Sequence, residues 1–199
     1  MSRVTVFESV TLDGVMQGPG RADEDTRGGF KHGGWAVPYG DEEMGRAAAE
    51  TMATTDAILM GRRTYEDVLA YWNTQTDNPY TAVLNTTLKL VASRSANTSL
   101  RWPNSDLLAG DAAGAVVQLR ERPGRDLVVI GSGELARSLI ARELVDRYTL
   151  LIHPLVLGSG RRLFGDDGTF AALRLIDTRT TTTGVIIATY QPGEQRRAP

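Results

Sequence analysis

Asp56-Ala-Ile-Leu-Met-Gly-Arg-Arg-Thr-Tyr65 runs from apolar residues through a glycine into two arginines and a hydroxyl. An apolar run this short predicts a buried strand, and the residues after Gly61 predict a helix through about Trp72. Leu127-Val-Val-Ile-Gly-Ser-Gly133 has the same grammar: a core strand, a glycine-rich turn and a helix from Glu134 to Arg142. A third apolar run, Leu88 to Ala92, ends at Ser93-Arg94-Ser95. Strands alternating with helices predict an α/β sheet that is mostly parallel.

Outward from these segments the pattern continues. Val4 to Val10 reads as a strand, followed by a glycine-rich loop from Asp13 through Gly40. Asp41-Glu-Glu opens a helix to about Thr54, with acids where the helix dipole favours them. Asp106 to Leu108 is a weaker strand, and Ala112 to Arg122 is a helix that ends at Pro123-Gly124. Tyr148 to Val156, Leu173 to Ile176 and Val185 to Tyr190 read as strands, with Gly184 as a turn and an antiparallel hairpin at the end. No linker interrupts the pattern, so a single domain is expected over residues 1–191, followed by a flexible tail over 192–199.

Composition narrows the function. The 199 residues carry 22 Lys+Arg against 24 Asp+Glu, a formal net charge of −2. That near-balance argues against a nucleic-acid partner, because phosphate-backbone affinity needs a clustered basic surface. At 41% hydrophobic and 23% charged, the chain is an ordinary globular one. It has no cysteine, which removes disulfides, thiolate nucleophiles and cysteine-ligated zinc. The two histidines, His32 and His153, lie far apart in sequence, so no metal site is expected. No run approaches about 18 apolar residues, so no membrane partner and a cytoplasmic location are expected. Of the 22 basic residues, 20 are arginine. That bias reads either as compositional or as guanidinium groups that grip phosphate.

The three strand-ending turns favour phosphate. Backbone N–H groups at a strand-to-helix turn face outward beside the positive end of the helix, which suits a pyrophosphate. Gly131 to Ala136 even reads G-x-G-x-x-A, the fingerprint of a Rossmann dinucleotide domain. Against Rossmann, too little chain follows residue 131, and about 20 residues on no acid stands ready for the ribose. A plain tight turn is the plainer reading of that loop alone. Gly61-Arg62-Arg63-Thr64, Ser93-Arg94 and Gly131-Ser132-Gly133 together supply what the pyrophosphate and 2′-phosphate of a phosphorylated dinucleotide would need.

These segments, with Ser9-Val-Thr-Leu-Asp-Gly14, Leu144-Val-Asp-Arg147, Pro154-Leu-Val-Leu-Gly-Ser-Gly160 and Leu163-Phe164, resemble the dihydrofolate reductase-like superfamily. The resemblance is to the reductase domain of bifunctional riboflavin biosynthesis deaminase-reductases and their stand-alone relatives, over roughly residues 3 to 191. It implies a three-layer sandwich with a central mixed sheet flanked by helices, NADPH as hydride donor, and a homodimer. The implied activity is hydride transfer to a C=N or C=O bond of a small pterin- or pyrimidine-like substrate, as in dihydrofolate reductase or 5-amino-6-(5-phosphoribosylamino)uracil reductase. Gly61, Arg62, Arg63 and Thr64 would line the cofactor phosphates, and Ser93 and Arg94 the 2′-phosphate. Ile130, Gly131, Ser132, Gly133, Glu134 and Leu135 would wrap the pyrophosphate.

Asp13 would belong to the loop near the nicotinamide, although Asp13-Gly14 also reads as a simple turn pair. The proton-donating acid is expected near the start of the helix after the long loop, where Asp41 and Glu42 lie. Acids there also serve as dipole complements. Trp35, Met16 and Tyr65 are the expected substrate contacts, with packing as the plainer reading for the aromatic rings. Two departures stand out. Ile130-Gly-Ser occupies the place where riboflavin-pathway reductases tend to have Glu-Gly-Gly, and there is no cysteine to build a zinc deaminase half. A non-catalytic NADP(H)-binding protein is therefore one alternative, and a Rossmann-type oxidoreductase the other.

Overall fold

The strand β2 (Thr55–Gly61) passes into helix α2 (Arg62–Trp72) at Gly61, as the apolar run and its glycine predict. In this computed structural model, residues 1–75, 77–165 and 170–194 are described. The remaining elements are β1 (Val4–Thr11), α1 (Glu42–Ala53), α3 (Pro79–Thr86), β3 (Leu88–Ser93), β4 (Ser105–Ala109) and α4 (Ala112–Arg120). They continue with β5 (Asp126–Ile130), α5 (Gly133–Ala141), β6 (Arg147–His153), β7 (Leu173–Thr180) and β8 (Ile186–Pro192).

The chain divides into two compact units. The first takes Met1–Thr5 and Thr51–Leu144, and the second takes 6–50 and the chain from 145 onward. In the first unit the strand order is β4-β3-β2-β5, and the pairs β3–β4, β2–β3 and β2–β5 are all parallel. Such strands are covered on both faces and therefore read as near-continuous apolar runs. Ile58, Met60, Tyr65, Leu69, Leu84 and Val91 form its buried cluster. The start of β1 joins at β5, where Leu127 N–H donates to Arg3 O at 2.7 Å.

In the second unit β8 pairs antiparallel with both β6 and β7, which is the hairpin expected at the end of the chain. Ala47, Leu151, Val185 and Ile187 form one buried cluster, and Val15, Phe30 and Trp35 another. β6 stops at His153, short of the expected Val156, because Pro154 has no N–H to offer the ladder. Helix α3 is not anticipated from apolar period. Its signal is Asn78-Pro79: the asparagine caps Tyr80 N–H at 2.9 Å and proline fits the first helical position. Pro192 is the last residue of β8, and the rest of the expected tail from 195 onward lies outside the described residues.

Candidate functional site

Parallel register brings three strand ends to one edge of the first unit. Gly61 pairs with Ala92, and Leu59 with Val129, so β3, β2 and β5 finish side by side in that order. Ser93-Arg94, Gly61-Arg62 and Gly131-Ser132 are therefore neighbouring turns. The carboxyl ends of parallel strands are where α/β sheets bind ligands. Helices α2 and α5 start from two of these turns, and neither N-cap residue, Gly61 or Ser132, makes a side-chain cap hydrogen bond. Elsewhere in the unit α3 is capped by Asn78 and α4 by Asp111. Among the described residues of this unit, the helix starts without a side-chain cap are thus those at the three-turn edge.

The turns also fit each other closely. A Cβ on Gly131, which has φ +58°, would stand 2.8 Å from Thr64 Cγ2. A Cβ on Gly61 would stand 3.3 Å from Ser132 Oγ, which accepts the Gly61 N–H at 2.7 Å. Arg94 Nη2 lies 3.5 Å from Glu134 Oε2, both side chains exposed. Arg62 is already engaged on its own helix, with Glu66 oxygens at 2.9 and 3.0 Å. Arg63 is exposed at the start of α2. Ser93 Oγ shares a 2.7 Å hydrogen bond with Thr98 and accepts from Ser95 N–H, folding the loop after β3 back on itself. Ile130 packs against the core cluster and Leu135 is buried, so these two contribute backbone and shape.

The sequence profile of the RibD C-terminal domain matches residues 2–187. The chain belongs to the RibD C-terminal domain family. An uncharacterized protein, YyaP of Bacillus subtilis strain 168, is 29% identical over 195 residues, 94% of each chain. A putative riboflavin biosynthesis protein from Shewanella sp. PV-4 superposes with a TM-score of 0.67 at 20% identity, over 96% of this chain and 99% of that one. Dihydrofolate reductase from Enterococcus faecalis, complexed with NADP(H) and RAB-propyl, gives 0.64 at 10% identity, over 96% and 97%. The fold of this RibD C-terminal domain is dihydrofolate reductase-like, and the Rossmann alternative falls.

Several expected contacts of the RibD domain lie elsewhere. Tyr65 is wholly buried in the core, and its hydroxyl accepts the Trp102 N–H at 2.9 Å, so it offers no surface to a substrate. In the second unit, Met16 is buried, and Trp35 is buried beside Val15 and Phe30. The Trp35 indole N–H is spent on Gln17 O at 2.7 Å, and its ring meets His153 edge-on at 5.0 Å. Its ring is buried among Val15, Phe30 and His153.

The expected acids are also committed. Asp13 accepts from Thr11 Oγ1 at 2.6 Å, Gly158 N–H at 2.9 Å and Leu157 N–H at 3.2 Å. The Thr11 hydroxyl above all, opposed by burial and aided by those amides, holds its carboxyl below the ordinary range. Asp41 caps α1 through Glu43 N–H at 2.8 Å and clamps Thr182 by its hydroxyl and its N–H. The Thr182 hydroxyl, then the Glu43 amide, likewise hold Asp41 low. Both carboxylates are thus committed to structural bonds within the second unit. Glu42 is exposed in the first turn of α1.

Two residues escaped the sequence reading. Gln17 ties the long loop together, donating to Asp25 O and Arg27 O at 3.1 and 2.9 Å and accepting the Arg161 N–H at 2.9 Å. Glu8 is only 5% exposed in β1. Its signal was available: Val4, Val6, Glu8 and Val10 share one face of a period-2 strand.

Proposed function

We propose that this RibD C-terminal domain is an NADPH-dependent reductase acting on a C=N or C=O bond of a small, flat, pterin- or pyrimidine-like substrate. One observation carries the reading. The N-termini of α2 and α5 carry no side-chain cap and lie at adjacent parallel strand ends, each entered through a glycine, with Arg94 beside them. That arrangement fits a dinucleotide with an extra phosphate: amides for the diphosphate, a guanidinium for the 2′-phosphate. NADPH supplies the hydride when bound.

The chain's own residues would bind and orient. Amides of Arg62, Arg63 and Thr64 and of Gly133, Glu134 and Leu135 would hold the diphosphate. Gly61 and Gly131 let the backbone come close, since a Cβ at either would crowd the opposing turn. Arg94 would exchange Glu134 for phosphate, an exchange that costs little because exposed ion pairs contribute only about 0–1 kcal/mol. The proton would come from one of the acids Asp13, Asp41 and Glu42, of which Glu42 is the exposed one.

The same two bonded aspartates, with Ile130 in place of an acid, favour a second reading, a non-catalytic NADP(H)-binding protein of this fold. Tryptophan fluorescence titrated with NADPH and NADH tests the shared part. Consumption of NADPH with a panel of dihydropterins and amino-pyrimidines separates the two. Preference for NADPH without turnover of any of them supports the binding protein, and equal affinity for both nucleotides defeats both readings.

We also propose a homodimer. The apolar strands from Tyr148 to Leu157 and in the final hairpin would form its surface; of these, β6 is interior, since it pairs with β8. The outer strand of the second unit is β7, with Leu175 50% and Ile176 42% exposed.

A further inference from the structure

Ser132 sits in the left-handed region at φ 64° and ψ 55°, where glycine is free and an L-residue is strained. It follows Gly131, itself at φ +58°, so two consecutive residues turn left-handed. Gly131 has a plain reason to be glycine, because Thr64 fills the space of a Cβ. Ser132 has a hydroxyl to place. A serine at an N-cap ordinarily bonds an amide of its own helix. This one does not cap α5. Its Oγ reaches the neighbouring strand end and accepts the Gly61 N–H at 2.7 Å, with Ile130 O at 3.4 Å behind it.

The consequence is double. The last amide of β2 gains an acceptor that the ladder no longer supplies at that point. Meanwhile the serine caps no amide of α5. A side chain held in a costly conformation that leaves its own helix end uncapped, and fastens it to the next helix end, sets the spacing of two donor clusters.

We propose that Ser132 is a positioning residue, which locks the Gly61 and Gly131 turns at the separation at which α2 and α5 grip one diphosphate together. This rests on the dinucleotide reading above and adds to it that the serine acts through the turns, on the diphosphate shared by NADPH and NADH.

The test compares parent and Ser132→Gly protein, each titrated with NADPH and NADH and each melted. Glycine relieves the left-handed strain, so the variant melts at or above the parent temperature. Loss of one fixing hydrogen bond should weaken both nucleotides by a common factor of about ten. Unchanged affinity for both nucleotides overturns the inference. So does loss confined to NADPH, which would put Ser132 at the 2′-phosphate. A variant weakened only in proportion to a lowered melting temperature also overturns it, leaving a structural role. Parent protein that binds neither nucleotide overturns the dinucleotide reading itself, and that outcome is distinct from the others.

Discussion

Arg94 and Glu134 meet at 3.5 Å although the strands that lead into them, β3 and β5, are separated by β2. The contact shows that the three turns form one surface. It also sets a counter-charge on the guanidinium assigned to the 2′-phosphate. Arg94 is 89% exposed, so its grip is that of a solvated charge and is screened by salt.

Arg94→Ala should therefore weaken NADPH roughly three- to tenfold and leave NADH unchanged, the range open to an exposed contact worth about 1 kcal/mol. Glu134→Gln should tighten NADPH by a similar factor, with NADH again unmoved. Fluorescence titrations at low and high salt check both. A parent preference for NADPH that survives high salt in full would count against Arg94 as its source.

Gly131→Ala should destabilise the fold by about 2–4 kcal/mol, from left-handed strain and an overpacked contact with Thr64. Denaturant unfolding reads this directly. A variant with the parent midpoint would show that Thr64 gives way at no cost.

His153 sets an acid limit on the second unit. With Leu151 O accepting at 3.0 Å, Nδ1 carries the proton, and buried Nε2 finds no partner among the described residues. Burial holds the imidazole below its ordinary value of 6.5, against the opposing pull of the Leu151 and Val10 backbone bonds. The folded state then binds fewer protons than the unfolded state, so its stability is complete above about pH 6.5 and declines as pH falls below it. Asp13 and Asp41, held below 3.8, add their own loss only at lower pH. Melting curves of the parent should fall across mildly acid pH, and those of His153→Gln should be flat there. Identical slopes would remove His153 from the account.

Leu175→Lys combined with Ile176→Lys should convert a dimer to a monomer by light scattering. β7 and β8 slip register between Leu175 and Asp177, a bulge that discourages edge-to-edge strand pairing. The contact would therefore be made by side chains. A monomeric parent at micromolar concentration would end the proposal.

The strand-turn-helix units were legible in the chain because each depends on neighbours a few positions apart. Apolar runs of strand length, glycine at Gly61 and Gly131, and alternation along β1 need no distant partner. From them follow the parallel strands, the closing hairpin and the row of three strand-end turns. What the side chains in those turns do is another matter. Tyr65 lies next to Thr64 in sequence but points into the core to meet Trp102, 37 positions away. Asp41 looks like an acid at a helix start, and Thr182, 141 positions away, makes it a clamp. Ser132 looks like a cap, and Gly61, 71 positions away, makes it a bridge. Local period determines which face a residue occupies. Only strand order and register determine what stands opposite, and a hydrogen bond is decided within a few tenths of an ångström by that partner.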